Sequence, residues 1–233
     1  MTNDLPRGEP LAFSPPPEPA RATLEGYGLR LEPLEADRDA EDLYAISHGD
    51  ARREALWTYM GGGPFADVDA LRTSLHAAER STDPLFFTVR DAASGRALGQ
   101  NAYLSIAAEH GRIEIGHIWY APEAQRGSVN TAAATLLIGN AFALGYRRVE
   151  WKCDALNARS RAAAERLGFR FEGVFRQHLV VKGRNRDTAW FSLLDREWPV
   201  AGAALEEWLE ADPAARAPLA ELRAAREAGH RAD

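Results

Sequence analysis

The stretch "PEAQRGSVNTAAATLLIGNAF", residues Pro122 to Phe142, joins a short polar turn containing glycine to a long alanine-rich run. The first turn of a helix leaves backbone N–H groups without partners and carries the positive end of the macrodipole, so a loop entering a helix this way can hold an anion. A phosphate-bearing ligand is the functional expectation for such a junction. An ordinary capped surface helix is the structural one, since a lone glycine loop is a weak signal. Just upstream, "RIEIGHIWY" places apolar side chains at the odd positions Ile113 and Ile115, then at the even positions Ile118 and Tyr120. A change of parity around Gly116 and His117 is what a β-bulge produces, and it turns Glu114 and His117 to one side of the strand.

The elements that must position these groups follow from periodicity and punctuation. Residues 1–23 include "FSPPPEPA", whose prolines lack backbone donors and favour extended chain, so they read as an arm. From residue 24, "YGLRLEPL" reads as a first strand, "DRDAEDLYAISH" as a helix capped by Asp37, and "ADVDALRTSLHAAER" as a helix starting near Asp67. Between the helices, "LWTYMGGGPF" sets three glycines beside Trp57, Tyr59 and Phe65. Such a loop either lines a substrate pocket with its aromatics or covers the core.

"PLFFTVRD", "ALGQNAYLSI" and "RIEIGHIWY" then form an antiparallel meander, and Val129, Ala133, Leu136, Leu137 and Leu144 recur at helical spacing. "RRVEWKCD" alternates Val149, Trp151 and Cys153 against Glu150, Lys152 and Asp154, a strand with one buried face on which Cys153 is a packing residue. "NARSRAAAERLGF" is a short helix with Asn157 as N-cap and Gly168 as its stop. "FRFEGVFRQHLVV" and "RNRDTAWFSLLD" make a hairpin around Lys182 and Gly183. The expected class is α/β (α+β). Residues 24–199 form one domain with a mixed, mostly antiparallel twisted sheet of six or seven strands flanked by four helices, and residues 200–233 form a helical extension.

Composition bounds what such a domain does. A hydrophobic content of 45% supplies a core, and one cysteine excludes an internal disulfide framework or a multi-cysteine zinc site. "MTNDLPRGEP" lacks the basic and apolar regions of a signal peptide and no run reaches membrane-span length, so the expected location is the cytoplasm, without membrane attachment. The net charge of -6 argues against general nucleic-acid binding, although residues 145–190 carry 11 Lys and Arg against 5 Asp and Glu. That excess either holds a small polyanion or is solvated surface.

The order of elements and three local motifs resemble the GNAT superfamily of acyl-CoA-dependent N-acetyltransferases, most closely the branch that modifies ribosomal-protein N-termini. The motifs are "EIGHIWYAPEAQRG", similar to the family's central strand and cofactor loop; "DALNARSRAAAERLGFRFEG", similar to its second cofactor motif; and the closing hairpin. The resemblance covers roughly residues 24–199 and implies acetyl-CoA as cosubstrate, without a metal. It assigns cofactor contacts to Ile118, Trp119 and Tyr120, to Gln125, Arg126, Gly127, Ser128, Val129, Asn130 and Thr131, and to Asn157 and Ser160. Two departures stand out. Ser128 and Asn130 occupy the loop's two small positions, with Gly127 one place early. Ala164 stands where many relatives carry a tyrosine that protonates the thiolate.

Acetyl transfer from a thioester to an amine requires a neutral amine, a stabilised oxyanion and a protonated thiol. The resemblance assigns Glu114 as base with His117 second, an N–H near Ile118 or Trp119 as oxyanion donor, and Ser160 as acid. Ser160 equally fits a local hydrogen-bonding role in its helix. Trp57 and Tyr59 are the expected acceptor contacts. The expected partners are acetyl-CoA and an amine acceptor, either a protein N-terminus or a small amine. The oligomeric state is left open, a homodimer included. The alternative is a catalytically silent acyl-CoA-binding or sensing protein of the same fold. A nucleic-acid module lacks a recognisable signature, and a nucleoside triphosphatase lacks the lysine after the glycine loop.

Overall fold

The computed structural model of the chain describes residues 5–230. An eight-stranded sheet in the order β1-β2-β3-β4-β5-β6-β8-β7 forms its centre. The strands are β1 (Leu24–Gly26), β2 (Leu29–Pro33), β3 (Leu85–Asp91), β4 (Ala97–Ala107), β5 (Arg112–Tyr120), β6 (Arg148–Asp154), β7 (Arg170–Val181) and β8 (Arg184–Leu194). The count exceeds the expected six or seven because Tyr27 and Gly28 turn with φ of 53° and 75°, so that Leu24–Gly26, ahead of the expected first strand, pairs with it as a hairpin.

The four expected helices are α1 (Ala36–Ser47), α3 (Val68–Arg80), α4 (Val129–Leu144) and α5 (Ala158–Leu167), and a single turn, α2 (Ala51–Glu54), follows α1. Beyond the sheet lie α6 (Trp198–Glu210) and α7 (Leu219–His230). The expected Asp37 cap of α1 is wrong: Glu35 is the N-cap without a side-chain bond, and the carboxylate of Asp39 accepts the Glu35 N–H at 3.1 Å. Asp39 is fully buried and paired with Arg90, so tertiary contacts fix that helix start rather than a local cap. Asp67 and Asn157 cap α3 and α5 as expected, each accepting the backbone N–H of the residue three positions on, Ala70 and Ser160.

Helices cover both faces. On one, α4 with α5 and α6 encloses a core that includes Leu31, Phe87, Tyr103, Ile113, Ile115, Leu137, Val149 and Phe191. On the other, α1 and α3 pack Leu43, Leu71 and Leu75 with Trp57 and Trp119. The polar residues of β6 and β8 lie opposite the first core, on the face that bears Glu150, Lys152, Asp154, Thr188, Trp190 and Ser192.

Two features of β5 shape the site. Gly116 pairs with Ala102 and Trp119 with Gln100, so His117 and Ile118 both stand opposite Asn101 and form the bulge the parity change predicts, with His117 at φ 51°. On the other edge, β5 runs parallel to β6 through only Arg112↔Arg148, Ile113↔Val149 and Glu114↔Glu150. Past Glu114 the two strands separate, and the second half of β5 faces a gap.

Candidate active site

A cleft of about 280 Å³ fills that gap. One wall is β5 from Glu114 to Ile118 and the other is β6 from Trp151 to Asp154, with Asn157 and Ser160 at its inner end and Leu179 and Arg186 contributed by β7 and β8. Tyr59, Met60 and Gly61 lie across it. Two bonds hold this cover: Tyr59 Oη donates to the Leu156 carbonyl at 3.4 Å, and Lys182 Nζ, at the tip of the β7–β8 hairpin, donates to the Trp57 carbonyl at 2.6 Å.

Glu114 sits where β5 and β6 part and is 2% exposed. Its Oε2 accepts from Lys152 Nζ at 2.8 Å and from Ser105 Oγ at 3.2 Å. Burial pushes its pKa up to about 7, with Lys152 and Ser105 pulling back. A carboxyl poised there exchanges a proton at neutral pH. Gly116 makes room for it, because a Cβ at that position would stand 2.9 Å from the Leu104 side chain and 3.4 Å from Glu114 Oε1. His117 is open to the cleft and lies against Phe86, with ring centroids 4.9 Å apart. Partial withdrawal from water, then the cations Lys152 and Arg186, hold its pKa below the usual imidazole range. The bulge brings Glu114 and His117 to one cleft.

Ser160 faces the same cleft. Trp151 Nε1 donates to its Oγ at 3.0 Å, which fixes the oxygen and leaves the hydroxyl proton for an acceptor in the cleft, where the Cys153 thiol is a hydrogen-bond neighbour. Asn157 Oδ1 accepts the Ser160 N–H at 3.1 Å, so the cap also sets the position of that serine. Ala164 is fully buried in the core.

The loop before α4 is built from β5 outward. Gln125 folds back so that Nε2 donates to the Tyr120 carbonyl at 3.0 Å, and Arg53 of α2 reaches Glu123 at 3.1 Å. Arg126 takes φ 62°, and Ser128, the N-cap, makes no side-chain cap bond. Ala132 N–H bonds the Ser128 carbonyl, and for the N–H groups from Gly127 to Thr131 no acceptor occurs among the described residues. These are the orphan donors of a helix start. Gly127 has nothing within 4 Å of a built Cβ, so glycine there is not forced by crowding.

The acetyltransferase (GNAT) domain description matches residues 28–170. The chain belongs to the GNAT acetyltransferase family. This GNAT chain is 45% identical to a GCN5-related N-acetyltransferase of Brucella melitensis whose crystal structure superposes with a TM-score of 0.87 over 91% of this chain and 99% of that one. A crystal structure of Mycobacterium smegmatis RimJ in complex with CoA-disulfide is 26% identical, with a TM-score of 0.62 over 78% of this chain and 90% of that one. Over 88 residues the chain is 42% identical to YdaF of Bacillus subtilis (strain 168), provisionally named a ribosomal N-acetyltransferase; that match spans 37% of this chain and 48% of YdaF.

Within the GNAT frame, two expected contacts differ from the sequence reading. Trp57 does not line the cleft: it is 5% exposed, its Nε1 donates to the Ser47 carbonyl at 3.1 Å, and its ring packs on Trp119 and Phe65. Of the two aromatics expected to meet an acceptor, Tyr59 lies in the cleft and Trp57 supports its loop from the core. The side chain of Trp119 is likewise core, its Nε1 donating to Gln100 Oε1 at 3.0 Å, and Tyr120 is buried; of the three expected contacts at this end of β5, Ile118 lines the cleft. Lys152 and Arg186 went unseen. Each alternates on the polar face of a strand, and only the neighbouring strand reveals that this face is a cleft wall.

Proposed function

We propose that this protein transfers an acetyl group from acetyl-CoA to a primary amine by direct attack. The carrying observation is Glu114, a buried carboxylate placed where β5 and β6 separate. The unpartnered N–H groups at the start of α4 fit a pyrophosphate, and the free edge of β5 past the bulge fits an amide-bearing pantetheine arm. Bound acetyl-CoA supplies the thioester. Glu114, directly or through water, accepts the proton that leaves the ammonium of the acceptor, and His117 stands beside it as the second base. The N–H of Ile118 or Trp119 donates to the carbonyl oxygen as negative charge develops there. The amine nitrogen bonds the acetyl carbon, the carbon–sulfur bond breaks, Ser160, held by Trp151, gives the thiolate its proton, and the proton shed by the newly acylated nitrogen restores the Ser160 hydroxyl through water.

The acceptor is an amine of a protein N-terminus or a small molecule, and the ribosomal naming of YdaF favours the former. The described helices include none long and apolar enough to cross a membrane. A crystal structure with acetyl-CoA tests the assignment. The expected result has the pyrophosphate on the backbone of Arg126 to Thr131 and the acetyl group in the β5–β6 gap; a pyrophosphate bound elsewhere refutes it.

A further inference from the structure

The cleft holds two flexible cations, and they differ. Lys152 is neutralised by Glu114 at 2.8 Å. Arg186 has no ion pair and no hydrogen bond to a carboxylate among the described residues, although it lines the same cavity, and its Nε is buried without a hydrogen-bond partner. The nearby acids are otherwise engaged. Asp154 Oδ1 accepts the Leu156 N–H at 2.9 Å, and Asp187 Oδ1 accepts from the Gln177 N–H at 2.7 Å and from Asn185 at 2.9 Å. An arginine held this way, facing a cavity that admits substrate, carries unused capacity for a planar, two-pronged anion contact.

We propose that Arg186 is a specificity-determining residue that binds an acidic group of the amine acceptor, set well apart from the reacting nitrogen. The spacing follows from strand register. Lys152 pairs with Trp190 and lies over its ring, and Arg186 is four residues along β8 from Trp190, about 13 Å at the strand rise. Side chains shorten this separation, but the register places Arg186 beyond the Asp154↔Thr188 pair, farther than Lys152 from the Glu114↔Glu150 pair where β5 and β6 part. An extended amine with its carboxylate about one residue beyond the nitrogen fits that gap. A compact amino acid, whose carboxylate is one carbon from its amine, does not.

This inference rests on the acetyltransferase reading, and its test separates the two. The probes are the peptides Ser-Glu-Ala-amide and Ser-Gln-Ala-amide and free glycine, assayed with acetyl-CoA against the unaltered protein, Arg186→Gln and Arg186→Lys. The expected result is a preference for the glutamate peptide that Arg186→Gln erases, raising its KM by about 10-fold or more while kcat/KM for the glutamine peptide stays within about twofold. Arg186→Lys restores part of the preference. Equal losses on both peptides, no preference in the unaltered protein, or Arg186-dependence confined to glycine overturns the proposal. Calorimetric binding of the two peptides to the CoA-saturated protein reads the same preference without turnover. A glutamate peptide that binds in this Arg186-dependent way but is never acetylated refutes the acetyltransferase reading alone.

Discussion

Lys152 Nζ and Glu114 Oε2 stand 2.8 Å apart across the point where two parallel strands part company. Burial favours the neutral carboxyl and the ammonium favours the charged one, and the balance leaves Glu114 at about 7. Neither influence alone yields a base suited to neutral pH. Burial alone would carry it higher, and an exposed ion pair would leave it ionised far below the working range.

Lys152→Met therefore moves the rising limb of kcat/KM against pH upward, by about one unit or more, because the cation bonded to Glu114 among the described residues is gone. Lys152→Arg keeps the limb near its original place. The same acceptor is used throughout, so a displacement belongs to the enzyme. An unmoved limb in Lys152→Met assigns the titration to another group.

The same carboxyl shapes stability. Its folded pKa lies above the ordinary carboxyl value, so the folded state holds the proton more tightly than the unfolded one. The stability this contributes is fully present below the ordinary value of 4.5 and is lost as pH rises through about 7. Glu114→Gln has no such loss. Urea unfolding at pH 5 and pH 8 is expected to show this variant gaining stability relative to the unaltered protein at the higher pH. A difference independent of pH contradicts the raised pKa.

The bulge was legible in the sequence because a single strand carries its whole signature: the apolar parity changes between Ile115 and Ile118, and a glycine stands at the change. The caps at Asp67 and Asn157 are equally local. Lys152 was not legible as a site residue, since its alternation with Val149 and Trp151 says only that it leaves the core, and the carboxylate it meets comes from a strand 38 residues earlier. Arg186 is harder still, for it is β8 and not the preceding β7 that pairs with β6, leaving β7 at the sheet edge. Trp57 shows the opposite limit: an aromatic beside glycines looks mobile in sequence, yet its ring is locked by Trp119, which is 62 residues away.

Asn157→Ala removes the acceptor of the Ser160 N–H and costs about 1 kcal/mol as a lost cap. Thermal or urea unfolding measures that loss. Because the cap also sets Ser160 beside Trp151, turnover is expected to fall in the folded variant as well. Unchanged turnover would leave Asn157 as a cap alone.

Ser160→Ala deletes the group that Trp151 Nε1 holds at 3.0 Å. If its hydroxyl protonates the leaving thiolate, kcat falls by about 10² or more while acetyl-CoA affinity is retained. A variant with normal kcat returns the serine to a local structural role.

Asn130→Pro removes one backbone donor from the first turn of α4. A lost charge-assisted bond to a pyrophosphate weakens CoA binding by about 10-fold or more. Calorimetry with CoA measures it, and an unchanged affinity shows that the anion does not rest on this turn.

Glu114→Gln tests the central claim most directly, because it keeps the shape of the side chain and removes the base. Free-thiol release from acetyl-CoA and the acetylated amine are followed together, the latter by mass, with an N-terminal peptide as acceptor at neutral pH. The unaltered protein is expected to form thiol and acetylated amine in equal amounts, and Glu114→Gln to lower both by about 10² or more with acetyl-CoA binding intact. Equal turnover by Glu114→Gln across pH would contradict the account.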